Sequence, residues 1–283
     1  MKKLGLYFHI PFCNSKCLYC DFDSHVSAYK ERHSYIDALI KEIKLAKEKY
    51  DLKKYTIDTI FIAGGTTTAL DNDLLEKLLF EIDGNFSFSD DLEYSIEINP
   101  NSIAEEKIKI LQNSSINRIS IGLQSANEVE LKSLGRSHSY ADFENTYSML
   151  KKHGFDNISV DLMMGIPNQS LNSYKNTLEK VLKLEPSHIS SYMLIIEDST
   201  PFADMYEKGL IKVDDDFTLE LYDYTIDFLK SKGYEQYEIS NFAKNGRKCR
   251  HNIRYWKVDE YLGLGQSAAS YINKARFSNR DKD

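Results

Sequence analysis

"IDTIFIAGG", residues 57–65, is a run of β-branched and aromatic side chains that stops on two glycines. It reads as a buried strand that delivers its C-terminal end to a backbone needing close approach. Similar runs recur on both sides of it. "LGLYFHI" (4–10) leads into a loop of cysteines, and "LEYSIEINP" (92–100) is stopped by Pro100. "RISIGLQS" (118–125), "NISVDLMMG" (157–165) and "HISSYMLII" (188–196) follow. Between them lie stretches whose apolar residues recur every three or four positions: 35–50, 73–82, 103–112, segments across 127–154, and 171–184. Ser102 and Glu105 have the spacing of a capping box opening the third of these. Six such strand–helix alternations predict parallel strands joined by right-handed crossovers. Polar or glycine residues stand near several strand ends: Gly64, Gly65, Glu97, Gln124 and Asp161. In a barrel those ends converge on one face, whereas a doubly wound sheet gathers ligands at one switch point. The expectation is an α/β fold, a partial (β/α)6 TIM-like barrel over 1–200. After about residue 200 the pattern changes, and 234–272 reads as an added β-rich layer within a C-terminal extension, 201–283. The charged end "FSNRDKD" (277–283) leaves open a disordered tail or a further domain beyond it.

The 283 residues are 42% hydrophobic and 28% charged, the profile of a globular chain. No apolar run is long enough to cross a bilayer. The apolar N-terminal stretch is short and holds His9 and Pro11, unlike a secretory signal, so a cytoplasmic location is expected. A net charge of −7 offers no electrostatic footprint for nucleic acid.

Cys13, Cys17 and Cys20 place three thiols in one short loop. Disulfides are disfavoured in a reducing compartment, where clustered cysteines usually bind metal. A zinc site would need a fourth ligand, for which His9 and His25 are near in sequence. A [4Fe–4S] cluster takes one thiolate per iron, so three would leave one iron open to bind a ligand. The missing fourth cysteine therefore points to a cluster built for chemistry.

C-x3-C-x2-C after a strand, with Tyr19 before the last cysteine, resembles the radical S-adenosylmethionine superfamily. The resemblance implies that the open iron is chelated by S-adenosylmethionine, whose sulfonium is cleaved by an electron from the cluster. It narrows to the oxygen-independent coproporphyrinogen III oxidases and the HemW-type haem chaperones. "YFHIPFC" matches their opening and implies Tyr7 beside the sulfonium. "AGGTTTAL" stands where they show three glycines, Thr and Pro, with Ala63 and Thr67 as departures. It implies Gly64, Gly65 and Thr66 at the amino-acid end of the cofactor. By the same resemblance Glu97, Gln124, Arg136 and Asp161 hold its ribose hydroxyls, carboxylate and neighbouring groups. "GLGQSAAS" (263–270) would close the adenine side through Ala268 or Ala269.

Two functions then compete: radical decarboxylation of coproporphyrinogen III, and binding and delivery of haem. A radical methyltransferase is a third reading, because cofactor residues do not identify a substrate. The decarboxylases carry an extra cysteine where this chain has Phe22, and an N-terminal segment where its first strand begins almost at once. "HNIRYW" (251–256) matches the HNxxYW motif that resembles the HemW signature. That motif makes His251 the candidate haem ligand, with Cys249 as a rival thiolate. Tyr255 and Trp256 would pack on the porphyrin, and Arg247, Lys248, Arg250 and Arg254 would meet its propionates. Whether the chain is an enzyme stays open at this level. The partners implied are haem or a porphyrin, an electron-donor protein and a haem-acceptor protein. His33, His138, His153 and His188 read as exposed or capping residues.

Overall fold

The structure, a computed structural model, describes residues 2–279. The first half of the expected pattern appears as β1 (Lys2–Ile10), α1 (Tyr29–Lys49), β2 (Tyr55–Gly64), α2 (Asn72–Asn85), β3 (Phe88–Ile98) and α3 (Glu105–Gln112). It continues through β4 (Arg118–Gln124), α4 (Glu128–Ser133), α5 (Tyr140–Lys152), β5 (Ile158–Met164), α6 (Leu171–Leu182) and β6 (His188–Met193). Strands β1 to β6 pair in sequence order, every pair parallel. This is the partial (β/α)6 barrel.

The strands explain why a lumen exists. Leu4, Leu6, Phe8 and Ile10 of β1, and Ile158, Val160, Leu162 and Met164 of β5, are buried in the apolar core. They pack with Ile36 and Leu39 of α1, Leu75 and Leu78 of α2 and Leu178 of α6 in that same core. Successive strand residues face opposite sides. The intervening positions are Tyr7, His9, Ser159 and Asp161, which line a cavity. A closed barrel of this kind fills its interior with branched apolar side chains. Here polar side chains line the interior and leave a cavity.

Residues 201–283 contribute α7 (Pro201–Glu207), α8 (Asp215–Ser231), β7 (Glu235–Gln236), β8 (Asn241–Ala243), α9 (Arg250–Lys257), β9 (Tyr261–Leu264), β10 (Ala269–Ile272) and β11 (Ala275–Ser278). These strands do not stack as a separate layer. They extend the one sheet at both edges, in the order β11-β10-β9-β1-β2-β3-β4-β5-β6-β8-β7. β9 runs parallel to β1, and β8 runs antiparallel to β6. Among the described residues the sheet is not closed by hydrogen bonds, and α9 inserts between the two extensions in sequence.

Two local expectations are corrected. Ser102 does not cap α3: it sits in a 3-10 turn, Pro100–Ser102, where it shares a capping box with Asn99. Pro100 supplies the first position of that turn, which suits its fixed φ. His138 and His188 are buried, not exposed. His138 donates to the Leu123 carbonyl (3.2 Å), and His188 lies between the hydroxyls of Ser159 and Tyr237, 2.8 Å from each. The tail residues 280–283 lie outside the described residues.

Candidate functional site

The cysteine loop joins β1 to α1 and is held from several sides. The Cys13 amide donates to the His25 carbonyl (2.9 Å), and the His25 amide to that of Pro11 (2.8 Å). Leu18 is tied to the Leu134 carbonyl at the end of α4 (3.0 Å), close enough that a Cβ on Gly135 would lie 2.9 Å from the Leu18 side chain. The glycine loop after β2 supports it from below. Gly65 and Thr66 donate their amides to the carbonyls of Ile10 (2.8 Å) and Phe12 (2.7 Å). A Cβ at Gly65 would sit 2.5 Å from the Phe12 carbonyl oxygen. Glycine is thus required here by the cysteine loop itself, and these two amides are already engaged.

All three thiols are free. A polar chain links two of them. Thr66 Oγ1 donates to Cys13 Sγ (3.7 Å), Asn99 Nδ2 donates to Thr66 Oγ1 (2.6 Å), and Arg136 Nη2 donates to Asn99 Oδ1 (2.6 Å). Arg136 Nη1 then reaches Cys17 Sγ (3.4 Å), and its Nη2 also holds the Gly122 carbonyl (2.6 Å). Burial pushes the Cys20 thiol up, with a smaller push from Cys17 and Cys13. His9 and His25 are not thiol partners: His9 bonds Tyr7 and the Asp23 carbonyl, and His25 pairs with Glu31. Among the described residues no three His, Cys, Asp or Glu side chains converge on a single metal ion. The arrangement suits thiolates distributed over a polynuclear cluster, with hydrogen bonds to sulfur of the kind that tune its potential.

Next to the loop, a cavity of about 640 Å³ runs into the barrel. Tyr7, Gly64, Glu97, Asp161, His251 and Ala269 all line it. Ala268 is buried, so of the two alanines it is Ala269 that faces the cavity. His9 Nε2 donates to the Asp23 carbonyl (2.8 Å), which leaves Nδ1 to accept from the Tyr7 hydroxyl (3.0 Å). Gly64, at φ +112, lies so near that a Cβ would stand 2.5 Å from the His9 ring. Burial, with Asp161 adding to it, pushes the Glu97 carboxyl up to about 8. Burial also raises Asp161, which is held by Ser120 (2.9 Å) on β4 and Ser159 (3.3 Å) on its own strand. Asp161 is therefore an interior acid, not a surface ion-pair partner.

Arg136 and Thr66 join Asn99 to the thiols, Gln124 lies beside them over Gly122, and neither these nor Gly65 line the cavity. Gln124 ends β4 at φ +66, and its buried Oε1 has no partner. A buried acceptor without a donor is costly unless a ligand satisfies it. Sequence reasoning missed Asn99, the serine tier and Arg118, a buried guanidinium on the cavity wall that donates to Asn157 Oδ1 (2.9 Å) and the Arg247 carbonyl (3.1 Å). The period-two alternation in "RISIG" and "ISVD" was the signal for Ser120 and Ser159.

The HNxxYW stretch forms α9, not a strand, and it packs onto β2 and β3. Glu93 of β3 accepts from the amides of Arg250 and His251, 2.9 Å each, supplying the N-terminal cap that Cys249 does not. His251 is fully buried: Nδ1 meets Thr59 Oγ1 (3.0 Å) and Nε2 meets the Tyr255 hydroxyl (2.8 Å). Burial, reinforced by Arg254, pushes its imidazole down to about 3. The basic residues expected to meet propionates are largely committed elsewhere. Arg254 pairs with Asp58, Arg250 with Asp58 and Asp91, and Lys248 with Glu235. Trp256 is 58% exposed on the outside of the helix.

Residues 7–181 match the radical SAM superfamily. HemW of Lactococcus lactis, a haem chaperone, is 38% identical over 98% of this chain and 72% of its own length. HemW of Escherichia coli is 35% identical over 94% of this chain and 69% of its own. The solved structure of the radical SAM enzyme coproporphyrinogen III oxidase from Escherichia coli superposes with a TM-score of 0.86 at 26% identity. That match covers 99% of this chain and 67% of the oxidase. A radical SAM fold implies a [4Fe–4S] cluster and S-adenosylmethionine, and the residues fit both: three thiols on one braced loop, and an orphaned buried acceptor beside them. This chain belongs to the radical SAM superfamily and, within it, to the HemW family.

Proposed function

We propose that this protein binds haem and delivers it to an acceptor protein in the cytoplasm, with its cluster reduced by a separate electron-donor protein. The observation that carries the reading is the continuity of one cavity from Tyr7, Glu97 and Asp161, on the cofactor side, to His251 of the HNxxYW helix. When bound, the cluster and S-adenosylmethionine supply one-electron chemistry. The chain's own residues orient and shield those groups. Cys13, Cys17 and Cys20 would hold the cluster. Tyr7, Gly64, Gly65, Thr66, Glu97, Gln124, Arg136, Asp161 and Ala269 would surround S-adenosylmethionine. Residues 1–200 are read as the cofactor-binding barrel and 201–283 as the part that adds the haem determinants.

His251 is favoured over Cys249 as the haem ligand. Its imidazole is neutral at pH 7, the form that binds metal, and ligation needs only the exchange of the Tyr255 hydroxyl. Burial, with Glu93 beside it, pushes the Cys249 thiol up to about 12, which withholds the thiolate. The test is an anaerobic haem titration of the reconstituted protein. His251→Ala is expected to alter the Soret band while iron content stays constant, and an unaltered band would remove His251 from the site.

The likeness to the oxidase favours a second reading, oxidative decarboxylation of coproporphyrinogen III. Phe22, in place of the additional cysteine, speaks against it. Formation of protoporphyrinogen by the reconstituted protein with coproporphyrinogen III, S-adenosylmethionine and reductant would overturn the haem-handling reading in its favour.

A further inference from the structure

Three exposed side chains that line the cavity are not among those proposed to hold the cofactors. Phe22 lies two residues after Cys20 and lines the cavity, yet the residue is 56% exposed. Its backbone is fixed. Lys16 Nζ donates to the carbonyls of Phe22 (2.9 Å) and Ser24 (3.0 Å), and His9 Nε2 to that of Asp23 (2.8 Å). A large apolar ring held by a rigid loop at a cavity mouth is placed to cover something flat. Val258 supplies a second, independent sign. It ends α9 at φ +57, a left-handed backbone that is a genuine outlier for a β-branched residue, and it is 54% exposed and lines the same cavity. Such strain persists where surrounding structure imposes it, commonly at ligand-binding positions. Arg276 of β11 also lines the mouth, exposed, with its guanidinium 5.7 Å from the Tyr271 ring centroid.

An aromatic face, a branched aliphatic tip and a guanidinium around one opening match a flat macrocycle edged with carboxylates. Guanidinium pairs with carboxylate through parallel hydrogen bonds, and the two apolar groups gain by covering the ring. We propose that Phe22, Val258 and Arg276 form the docking rim for haem, with Phe22 and Val258 against the macrocycle and Arg276 on a propionate. The assignment rests on the haem reading of this cavity and gives it a position. It also gives Phe22 a role of its own, where the sequence offered only the absence of a cysteine.

The experiment is haem titration, followed in the Soret region, of the anaerobically reconstituted full chain and its variants, compared at equal iron content. Phe22→Ala and Arg276→Gln are each expected to weaken haem binding roughly tenfold. Phe22→Tyr, which keeps the ring, should stay within about twofold of the unaltered chain, separating loss of the ring from disturbance of the adjacent cluster loop. Haem dimethyl ester, whose propionates carry no charge, should bind Arg276→Gln and the unaltered chain equally. Unaltered haem affinity in both Phe22→Ala and Arg276→Gln would overturn the rim while leaving the haem reading standing. Failure of the unaltered chain to take up haem would overturn both.

Discussion

Glu97 is the residue whose surroundings most clearly dictate its behaviour. Its carboxyl stands at about 8 in the folded chain against an ordinary 4.5, because burial and Asp161 both oppose its charge. Between those two values the folded chain holds a proton that the unfolded chain releases. The stability present at low pH is therefore lost as the pH rises through that window, by about 1.4 kcal/mol per pKa unit at most. Thermal melts of the unliganded protein should show Tm falling from pH 5 to pH 8.5, and falling less in Glu97→Gln. Equal slopes would mean that the charge on Glu97 is compensated. That Glu97 is a special acid was legible, since a carboxyl inside an apolar strand demands a partner. The serines that hold Asp161 were not, because each reads as an unremarkable small polar residue until the register of β4 and β5 brings Ser120 opposite Ser159.

At the scale of the element, α9 is kept in place by charge as much as by packing. Arg254 and Asp58 are both buried and paired, and Arg254 fits only because Gly5 has no side chain: a Cβ there would lie 2.6 Å from it. Arg254→Met should cost about 3 kcal/mol in urea unfolding, the low end for stranding a buried charge. The low end applies because Arg250 and Lys3 still approach Asp58, at 3.5 and 3.9 Å. Asp58→Asn added to Arg254→Met should recover part of the loss, and no recovery would mean that packing, not charge, set the cost. This helix was the element least legible in the sequence. Its eight residues carry an amphipathic pattern, but Cys249 offers no side-chain cap, and the Glu93 that replaces it lies more than 150 residues earlier. Tertiary capping of that kind leaves no local trace.

For the molecule as a whole, the six-fold alternation of strand and helix was enough to predict the parallel half of the sheet. Apolar faces toward the helices are a local property of each segment. How the remaining strands attach was not legible. Short strands such as β7 and β8 carry no lateral address, and their places at the β6 edge depend on pairings such as Ile189 with Phe242. The opposite edge depends on β9 against β1. A chain ended after Gly246 should lose only the helical content of α9. It should also bind more of an apolar-surface dye and be cut by protease near its N-terminal strand. Protection equal to that of the unaltered chain would show that the barrel is complete without α9 and β9.

The pairing of β1 with β9 has a consequence for how the protein is made. Once made, β1 finds its outer neighbour only after residues 261–264 have emerged, and Asp23 receives Gln266 Nε2 (2.9 Å) later still. At about 5–20 residues per second, that interval is roughly 10 to 50 s, during which the cysteine loop has a half-built setting. Thiols in that state are open to oxidation and to the wrong metal. Loading of iron and sulfur is thereby placed after residues 261–266 have emerged, or in the care of whatever protein shields the nascent loop.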